Sequence, residues 1–454
     1  MYTVTNPATG ELIEEIPNST DEQVRTAIER VHLGYSSWRR RPVAERAAIV
    51  SRAAELFAER SDELAAIMTL EMGKRINEGR GEIGIVVDIF NYYADNGPGL
   101  IADKPLPGHD TARVEYRPVG PILGVMPWNY PYYQVTRFAA PNLIVGNTVI
   151  LKHAENCPTS ALAIAQIMRD AGVPDGVYVN LFATHEQIAT MIADPRLRGV
   201  SLTGSERAGA VVAETAGRNL KKVVLELGGS DPYIILDTDD VGDAAKTAWV
   251  TRMENVGQAC NSNKRMIVMD DIYDDFVAAL VKRATAMSPR HPGDDSPRSY
   301  SPMVSRKAAE NLLAQVQDAV SKGATLHVGG ALDDGKGAYF APAVLTGVTP
   351  EMRAYREELF GPVAVVYKVS ADDEAVQLAN VVDFGLGGAV WSTDEERAIK
   401  VAEQLEVGMA NVNTPAGEGA DLPFGGTKRS GFGRELGPLG IDEFVNKRLF
   451  YVEK

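Results

Sequence analysis

Between residues 120 and 230 short β-prone runs alternate with helical patterns, and this alternation leaves few architectures open. The runs are ILGVM (122–126), NTVIL (147–151), GVYVNLF (176–182), GVSL (199–202) and KKVVLEL (221–227), with helical patterns at 158–171, 185–192 and 205–217. Strands separated by helices cannot pair as tight hairpins; crossover helices set them side by side in a parallel sheet. The alternation restarts after Gly229, with strands near 265–269 and 363–368 and helices near 272–286, 303–321 and 394–405. Two α/β units are the simplest account, and 454 residues are enough for a core in each. Upstream, Thr20 and Gln23 form a capping box before a helix that sets Val24, Ala27, Ile28 and Val31 on one face. A second helical zone runs from Pro42 to about Met72, with a break expected near Ser61. Two pieces fit neither unit. ARVEYRPVG (112–120) alternates like a strand, and FVNKRLFYVEK (444–454) ends in a β-prone run that reads equally as an ordinary edge strand or as one pairing with another subunit.

A formal net charge of −15 argues against nucleic acid or an anionic membrane as partner, since both need a positive face. The start, MYTVTNPATG, has no basic and apolar segments of a signal peptide. The most apolar stretch, FAAPNLIVGNTVIL (138–151), is interrupted by Pro141, Asn142, Gly146 and Asn147, so no span of a bilayer is expected. The only cysteines are Cys157 and Cys260, which excludes a disulfide framework and suits the cytoplasm. Histidines 32, 109, 153, 185, 291 and 327 are scattered without metal-ligand spacing, so no metal is expected.

Chemistry-bearing residues concentrate in a few turns. Cys260 lies in NVGQACNSNKR (255–265), a Gly-, Asn- and Gln-rich turn before a strand, where free backbone N–H groups stabilise a thiolate or an oxyanion; a free cysteine is otherwise a small buried hydrophobe. Cys157, in HAENCPTS, reads as structural. Glu226, between Leu225 and Leu227 at a strand end, is desolvated, which raises its pKa toward the range of a general base; the alternative is a salt-bridged carboxylate. Asn129, in PWNYP (127–131), is held by two prolines as a candidate oxyanion donor or a plain turn asparagine. Gly204 and Ser205 follow a strand and open a helix, where backbone amides can meet a pyrophosphate, although a lone GSxxxG is a weak signal.

Taken together, PWNYP (127–131), NTVILK (147–152), LTGSERAG (202–209), LELGG (225–229), GQAC (257–260), EELFGPV (357–363) and PFGGTKRSGFGRE (423–435) resemble the aldehyde dehydrogenase superfamily, in family order over nearly the whole chain. YYQVTRFAAPNLIVGNTVILKHAENCPTSA (132–161) and SGFGRELGPLGIDEFVN (430–446) look like the short succinate-semialdehyde dehydrogenases. The resemblance implies a Rossmann-type cofactor domain (1–98 and 120–228), a second α/β catalytic domain (229–428) and a small β oligomerisation unit (99–119 and 442–454) in a homodimer or homotetramer. It implies oxidation of an aldehyde to an acid through a thioester on Cys260, with Asn129 at the oxyanion and Glu226 activating water. For the cofactor it assigns Trp128, Lys152, Glu155, Gly204, Ser205, Glu358 and Phe360. A carboxylate at Glu155 suits free ribose hydroxyls and repels a 2′-phosphate, so NAD is expected over NADP.

Arg137 matches a pocket position that is arginine in succinate-semialdehyde dehydrogenases and can fork onto a terminal carboxylate; pairing with one of the protein's own carboxylates is the alternative. A C4–C5 semialdehyde is therefore the expected substrate, with other aliphatic, aromatic or amino-aldehydes as alternatives and a non-catalytic protein of the same fold as a remote one. The chain departs from the long enzymes at Glu254, where they carry arginine, and at GEGAD (417–421), where Glu418 and Asp421 join Glu254 in an acidic pocket mouth that Arg252 is free to offset. Phe138 stands where many relatives carry a lysine, leaving Glu435 without that partner, and Ser262 replaces a second cysteine.

Overall fold

The computed structural model describes residues 1–417 and 419–453. A six-stranded sheet runs Gly431–Phe432, Lys222–Glu226, Gly199–Thr203, Pro121–Val125, Thr148–Lys152, Tyr178–Asn180 across its width. The last five are mutually parallel, and only Gly431–Phe432 runs antiparallel to its neighbour. The run expected over 176–182 contributes only Tyr178–Asn180 to the sheet. A seven-stranded sheet runs Thr325–Val328, Ala343–Thr346, Val363–Val369, Arg265–Met269, Pro232–Ile235, Gly387–Trp391, Met409–Val412, parallel except for the outermost Thr325–Val328. The helices Pro158–Asp170, His185–Ala193 and Glu206–Arg218 intervene where the alternation requires them.

Thr20 caps the helix Asp21–Trp38 with the expected box, its side chain accepting from Gln23 while Gln23 reaches back. The break in the next zone falls at Arg60, between Val43–Glu59 and Ser61–Met72. The strand Ala112–Pro118 pairs antiparallel with the C-terminal strand Val445–Tyr451, which forms one margin of a three-stranded sheet.

Two helices escape the periodicity reading. Ile76–Leu100 carries several glycines and Pro98, all poor helix formers. Tyr133–Val145 is buried on every side from Gln134 to Val145, so it shows no amphipathic stripe. Both are held by tertiary packing around Phe57, Phe90, Tyr132 and Leu143, each large side chain contributing roughly 2 kcal/mol through burial. Tyr133–Val145 carries Arg137 inward.

Candidate active site

Parallel strands end on one edge, and the register brings the motifs together there. Val125 lies between Lys152 and Leu202, and Thr203 faces Glu226. The turn after Val125, Lys152, Gly204-Ser205 and Glu226 therefore share the carboxyl edge of the six-stranded sheet, where open α/β sheets collect ligands. Ser205 caps Glu206–Arg218, its Oγ accepting from the Ala208 N–H at 3.3 Å. The partial positive charge of that helix end faces the same edge. Lys152 is buried, and its only ion partner among the described residues is Glu155 at 3.9 Å. Thr203 Oγ1 and Asn180 Oδ1, also at strand ends, are buried without partners. These donors, with the Asn180 Oδ1 acceptor, fit the phosphates and ribose of a dinucleotide.

Cys260 belongs to the loop before Arg265–Met269, and the loop's backbone is strained. Asn255 (φ 47°) and Val256 (φ 55°) are left-handed, a conformation a β-branched residue adopts only when its surroundings over-determine it. Clamps surround them. Asn255 Nδ2 donates to the Asn129 carbonyl at 2.9 Å, and its N–H to Glu78 at 3.3 Å. Gln258 donates to the Asn255 carbonyl at 3.1 Å and accepts from the Val304 N–H at 2.9 Å. Asn129 Nδ2 donates to the Gln258 carbonyl at 3.2 Å, so the candidate oxyanion donor is tied to the nucleophile's own loop. On its other side the PWNYP turn is held by buried Glu82, which accepts from the Tyr132 and Tyr133 N–H groups at 2.8 and 3.0 Å.

Arg252 is also a clamp. Its guanidinium donates to the carbonyls of Gly257, Leu359, Gly361 and Val363 and to Ser262 Oγ, so it is fully occupied and offsets no acidity at the pocket mouth. Ser262, where a second cysteine is absent, serves as one of its acceptors.

Cys260, Arg137, Asp231, Glu254, Tyr130 and Tyr133 line one cavity of about 300 Å³. The Cys260 thiol is half-buried, and loss of hydration pushes it up to about 11, opposed by Arg137 and Lys264. Arg137 is fully buried, with Nε 2.7 Å from Glu435 Oε2, an ion contact without hydrogen-bond alignment. Another guanidinium nitrogen donates to Gln134, and the ring faces of Tyr133 and Phe424 lie 4.8 and 4.3 Å away. Its Nη1 is buried and has no partner. Glu435, which lacks the lysine that Phe138 replaces, has a cationic neighbour in Arg137 one residue earlier in the helix, so the alternative of an arginine paired with the protein's own carboxylate is present in the fold. Glu254 is exposed and accepts from Tyr130 Oη at 2.9 Å. Glu418, expected beside it, lies outside the described residues.

Glu226 is buried, and neither carboxylate oxygen has a partner. Burial, and then the nearby Glu435, hold its carboxyl well above the usual range. It does not line the Cys260 cavity. Its Oε1 stands against Gly425, where an added Cβ would lie 2.6 Å away, so glycine there makes room for the acid. Gly228 and Gly229 also serve close approach, but to the protein itself: a Cβ on Gly228 would meet Glu358 at 2.5 Å, and one on Gly229 the Cys260 carbonyl at 2.4 Å. Glu358 accepts from the Gly229 N–H at 3.2 Å and pairs with Lys264 at 3.1 Å. Phe360 meets Trp128 edge-on at 5.7 Å.

Sequence reasoning missed Lys264 and Asp231. Lys264 Nζ donates to the Ala259 and Cys260 carbonyls at 2.7 and 2.8 Å. Asp231 keeps one buried oxygen unpartnered, and burial pushes it up to about 7. A lysine inside the cysteine turn and an aspartate after the double glycine were the available signals.

The sequence matches the aldehyde dehydrogenase family over residues 1–449. It is 54% identical to a succinate-semialdehyde dehydrogenase (NADP+) of Deinococcus radiodurans, covering 99% of this chain and 94% of that protein. It is 41% identical to a succinate-semialdehyde dehydrogenase (NADP+) of Mycobacterium ulcerans, with 99% of each covered. The crystal structure of succinic semialdehyde dehydrogenase from Streptococcus pyogenes in complex with NADP+ superposes with a TM-score of 0.97 at 41% identity, over 100% of both chains. These NADP+ relatives overturn the NAD preference inferred from Glu155. The physical reason lies beside it: the Glu155 side chain is 47% exposed and stands 3.9 Å from Lys152, so its charge is screened and partly balanced. With motif order, both parallel sheets and these likenesses in agreement over the full length, the chain belongs to the aldehyde dehydrogenase family.

Proposed function

We propose that this protein oxidises succinate semialdehyde to succinate with NADP+, through a thioester on Cys260. The observation that carries this reading is the shared cavity: Cys260 and Arg137, a buried arginine with one nitrogen left without a partner, line the same small space. An aldehyde that ends in a carboxylate satisfies both, its carbonyl carbon at sulfur and its carboxylate on Arg137 Nη1. The names of the relatives from D. radiodurans and M. ulcerans support substrate and coenzyme alike.

Each residue has a task in this reading. Cys260 sulfur bonds to the aldehyde carbon, and the oxyanion accepts from Asn129 Nδ2, whose second proton is free because only one goes to Gln258. Lys152, Gly204 and Ser205 would hold the phosphate-bearing half of the coenzyme, and Trp128, Glu358 and Phe360 the nicotinamide half; when bound, it would accept the hydride that the former aldehyde carbon gives up as the thioester forms. Glu226, turned from Gly425 toward the cavity, takes a proton from the water that attacks the thioester carbon; the C–S bond breaks and the acid leaves. Its raised pKa makes it a competent base.

Residues 1–98 and 120–228 serve as the cofactor domain and 229–428 as the catalytic domain in this account. Residues 99–119 and 442–454 serve in assembly of a homodimer or homotetramer, supported by exposed Leu449 and Tyr451 on the terminal strand. Two free cysteines favour a cytoplasmic setting, and no helix among the described residues is long and apolar enough to cross a membrane.

The Arg137–Glu435 contact favours a second reading, oxidation of an uncharged aldehyde, in which arginine serves only its own acid. Steady-state kinetics of Arg137→Gln with succinate semialdehyde and with butanal separates the two. Losing a charge-assisted contact of about 2–3 kcal/mol lowers kcat/KM for the semialdehyde roughly a hundredfold and leaves butanal unchanged. Because the variant also strands Glu435, the double variant Arg137→Gln/Glu435→Gln controls for folding. An unchanged KM for succinate semialdehyde in both variants would contradict the carboxylate contact.

A further inference from the structure

We propose that Lys264 is a positioning residue that fixes the Cys260 backbone and biases its sulfur toward the thiolate, with Glu358 as the charge that holds this bias in check. The proposal rests on Cys260 being the nucleophile. Lys264 is buried, and its ammonium donates to the Ala259 carbonyl at 2.7 Å and the Cys260 carbonyl at 2.8 Å while pairing with Glu358 Oε1 at 3.1 Å. A lysine ammonium has three protons, and these three oxygens account for them. Two consecutive carbonyls drawn onto one cation fix the peptides on both sides of the Cys260 Cα, which sets the direction of the thiol.

The same cation, held on the Cys260 carbonyl, acts through space on the half-buried thiol, where partial loss of water strengthens charge. Loss of hydration opposes the thiolate most, and charged groups act on it in both directions. Arg137 and Lys264 favour the thiolate, while Glu358 and Glu226 oppose it. Asp231 stands near the same backbone, since a Cβ on Gly229 would lie 2.4 Å from the Cys260 carbonyl oxygen and 2.9 Å from Asp231 Oδ1, but burial pushes its carboxyl up to about 7 and so weakens its charge. Glu358 is the only one of these acids in direct contact with Lys264 among the described residues, and the same oxygen accepts from the Gly229 N–H at 3.2 Å. Glutamine at 358 would keep an acceptor in place and remove only the charge.

The test is the pH dependence of iodoacetamide alkylation of Cys260 in the coenzyme-free protein, with the labelled residue located by peptide mass spectrometry. Lys264→Met moves the rate curve to higher pH, keeps its plateau and slows alkylation near neutral pH roughly tenfold. Lys264→Arg returns the midpoint toward that of the parent. Glu358→Gln moves the curve to lower pH and speeds the reaction. A fixed midpoint in folded Lys264→Met, or a Glu358→Gln curve that fails to move to lower pH, overturns the proposal; should Lys264→Met not fold, the direction of the Glu358→Gln shift decides alone. Alkylation of parent protein that maps to Cys157, or that leaves activity intact, instead refutes the underlying nucleophile assignment.

Discussion

At the carboxyl edge of the six-stranded sheet the candidate coenzyme residues leave regular parallel strands, whereas Cys260 sits in a loop whose backbone is bent into left-handed conformations and clamped from several elements. The edge needs only correct strand order and register, and its side chains keep spare donors, as Lys152 does. The loop stores strain at Asn255 and Val256 and holds it with Asn129, Glu78, Arg252 and Lys264. A site that binds a long, flexible ligand tolerates adjustment, while a nucleophile must meet one carbon from one direction. Substitutions of the coenzyme residues at the edge should therefore alter affinity in small steps, whereas those in the loop, and of Glu226 as the one acid at the edge proposed to act on the acyl group, should remove chemistry.

The steepest loss is expected from Cys260→Ala, which removes the nucleophile from an otherwise intact fold. Aldehyde oxidation falls by about 10⁴-fold or more while the Tm stays within a degree or two of the parent's, as read by a coupled absorbance assay and calorimetry. Glu226→Gln comes next, with turnover down roughly a thousandfold and accumulation of an acyl-enzyme visible by mass spectrometry.

That same variant separates function from stability through pH. The Glu226 carboxyl is raised in the folded state, so folding is favoured fully below the unfolded carboxylate range and loses stability as pH climbs toward the folded value. Glutamine is free of this penalty. Glu226→Gln should therefore be more stable than the parent at neutral and alkaline pH, by roughly 1–3 kcal/mol, and the difference should close in acid. A parent protein more stable than the variant at neutral pH would mean that the carboxylate is satisfied in the fold.

A matched pair of glycines sharpens the contrast between loop and edge. Gly257 has φ 70°, and a Cβ there would lie 2.4 Å from the Gly361 carbonyl oxygen. Gly257→Ala should destabilise by about 2–3 kcal/mol and cut kcat by about a hundredfold as the loop shifts. Gly204 has its nearest neighbour at 3.7 Å, so Gly204→Ala should leave the Tm alone and raise the KM for NADP+ about tenfold, by crowding the phosphates. Equal stability losses in the two variants would erase the distinction. Smallest of all, Glu155→Ser should change kcat/KM for NADP+ by less than about fivefold, the scale of an exposed ion pair.

What the sequence disclosed follows the same division. Strand-end motifs such as PWNYP, LTGS and LELGG are each short and local, at or just after the end of a strand, and parallel register alone brings them to one edge. The Arg137–Glu435 and Lys264–Glu358 pairs join distant segments, and no local pattern announces them. The buried helix Tyr133–Val145 hid for a related reason, since a segment covered on all sides has no polar face to betray its period. Glu155 was misread because its neighbour mattered more than its charge. Arg252 had the right charge near the pocket, yet its donors turned to four backbone carbonyls and to Ser262 Oγ.

The central claim is that Cys260 carries the substrate as an acyl group, and trapping that species tests it most directly. Rapid acid quench of the enzyme with succinate semialdehyde and NADP+, followed by peptide mass spectrometry, should find a succinyl adduct on the Cys260 peptide at early times, more abundant in Glu226→Gln. Turnover with no adduct at any time in either protein, or an adduct confined to another residue, would contradict the account.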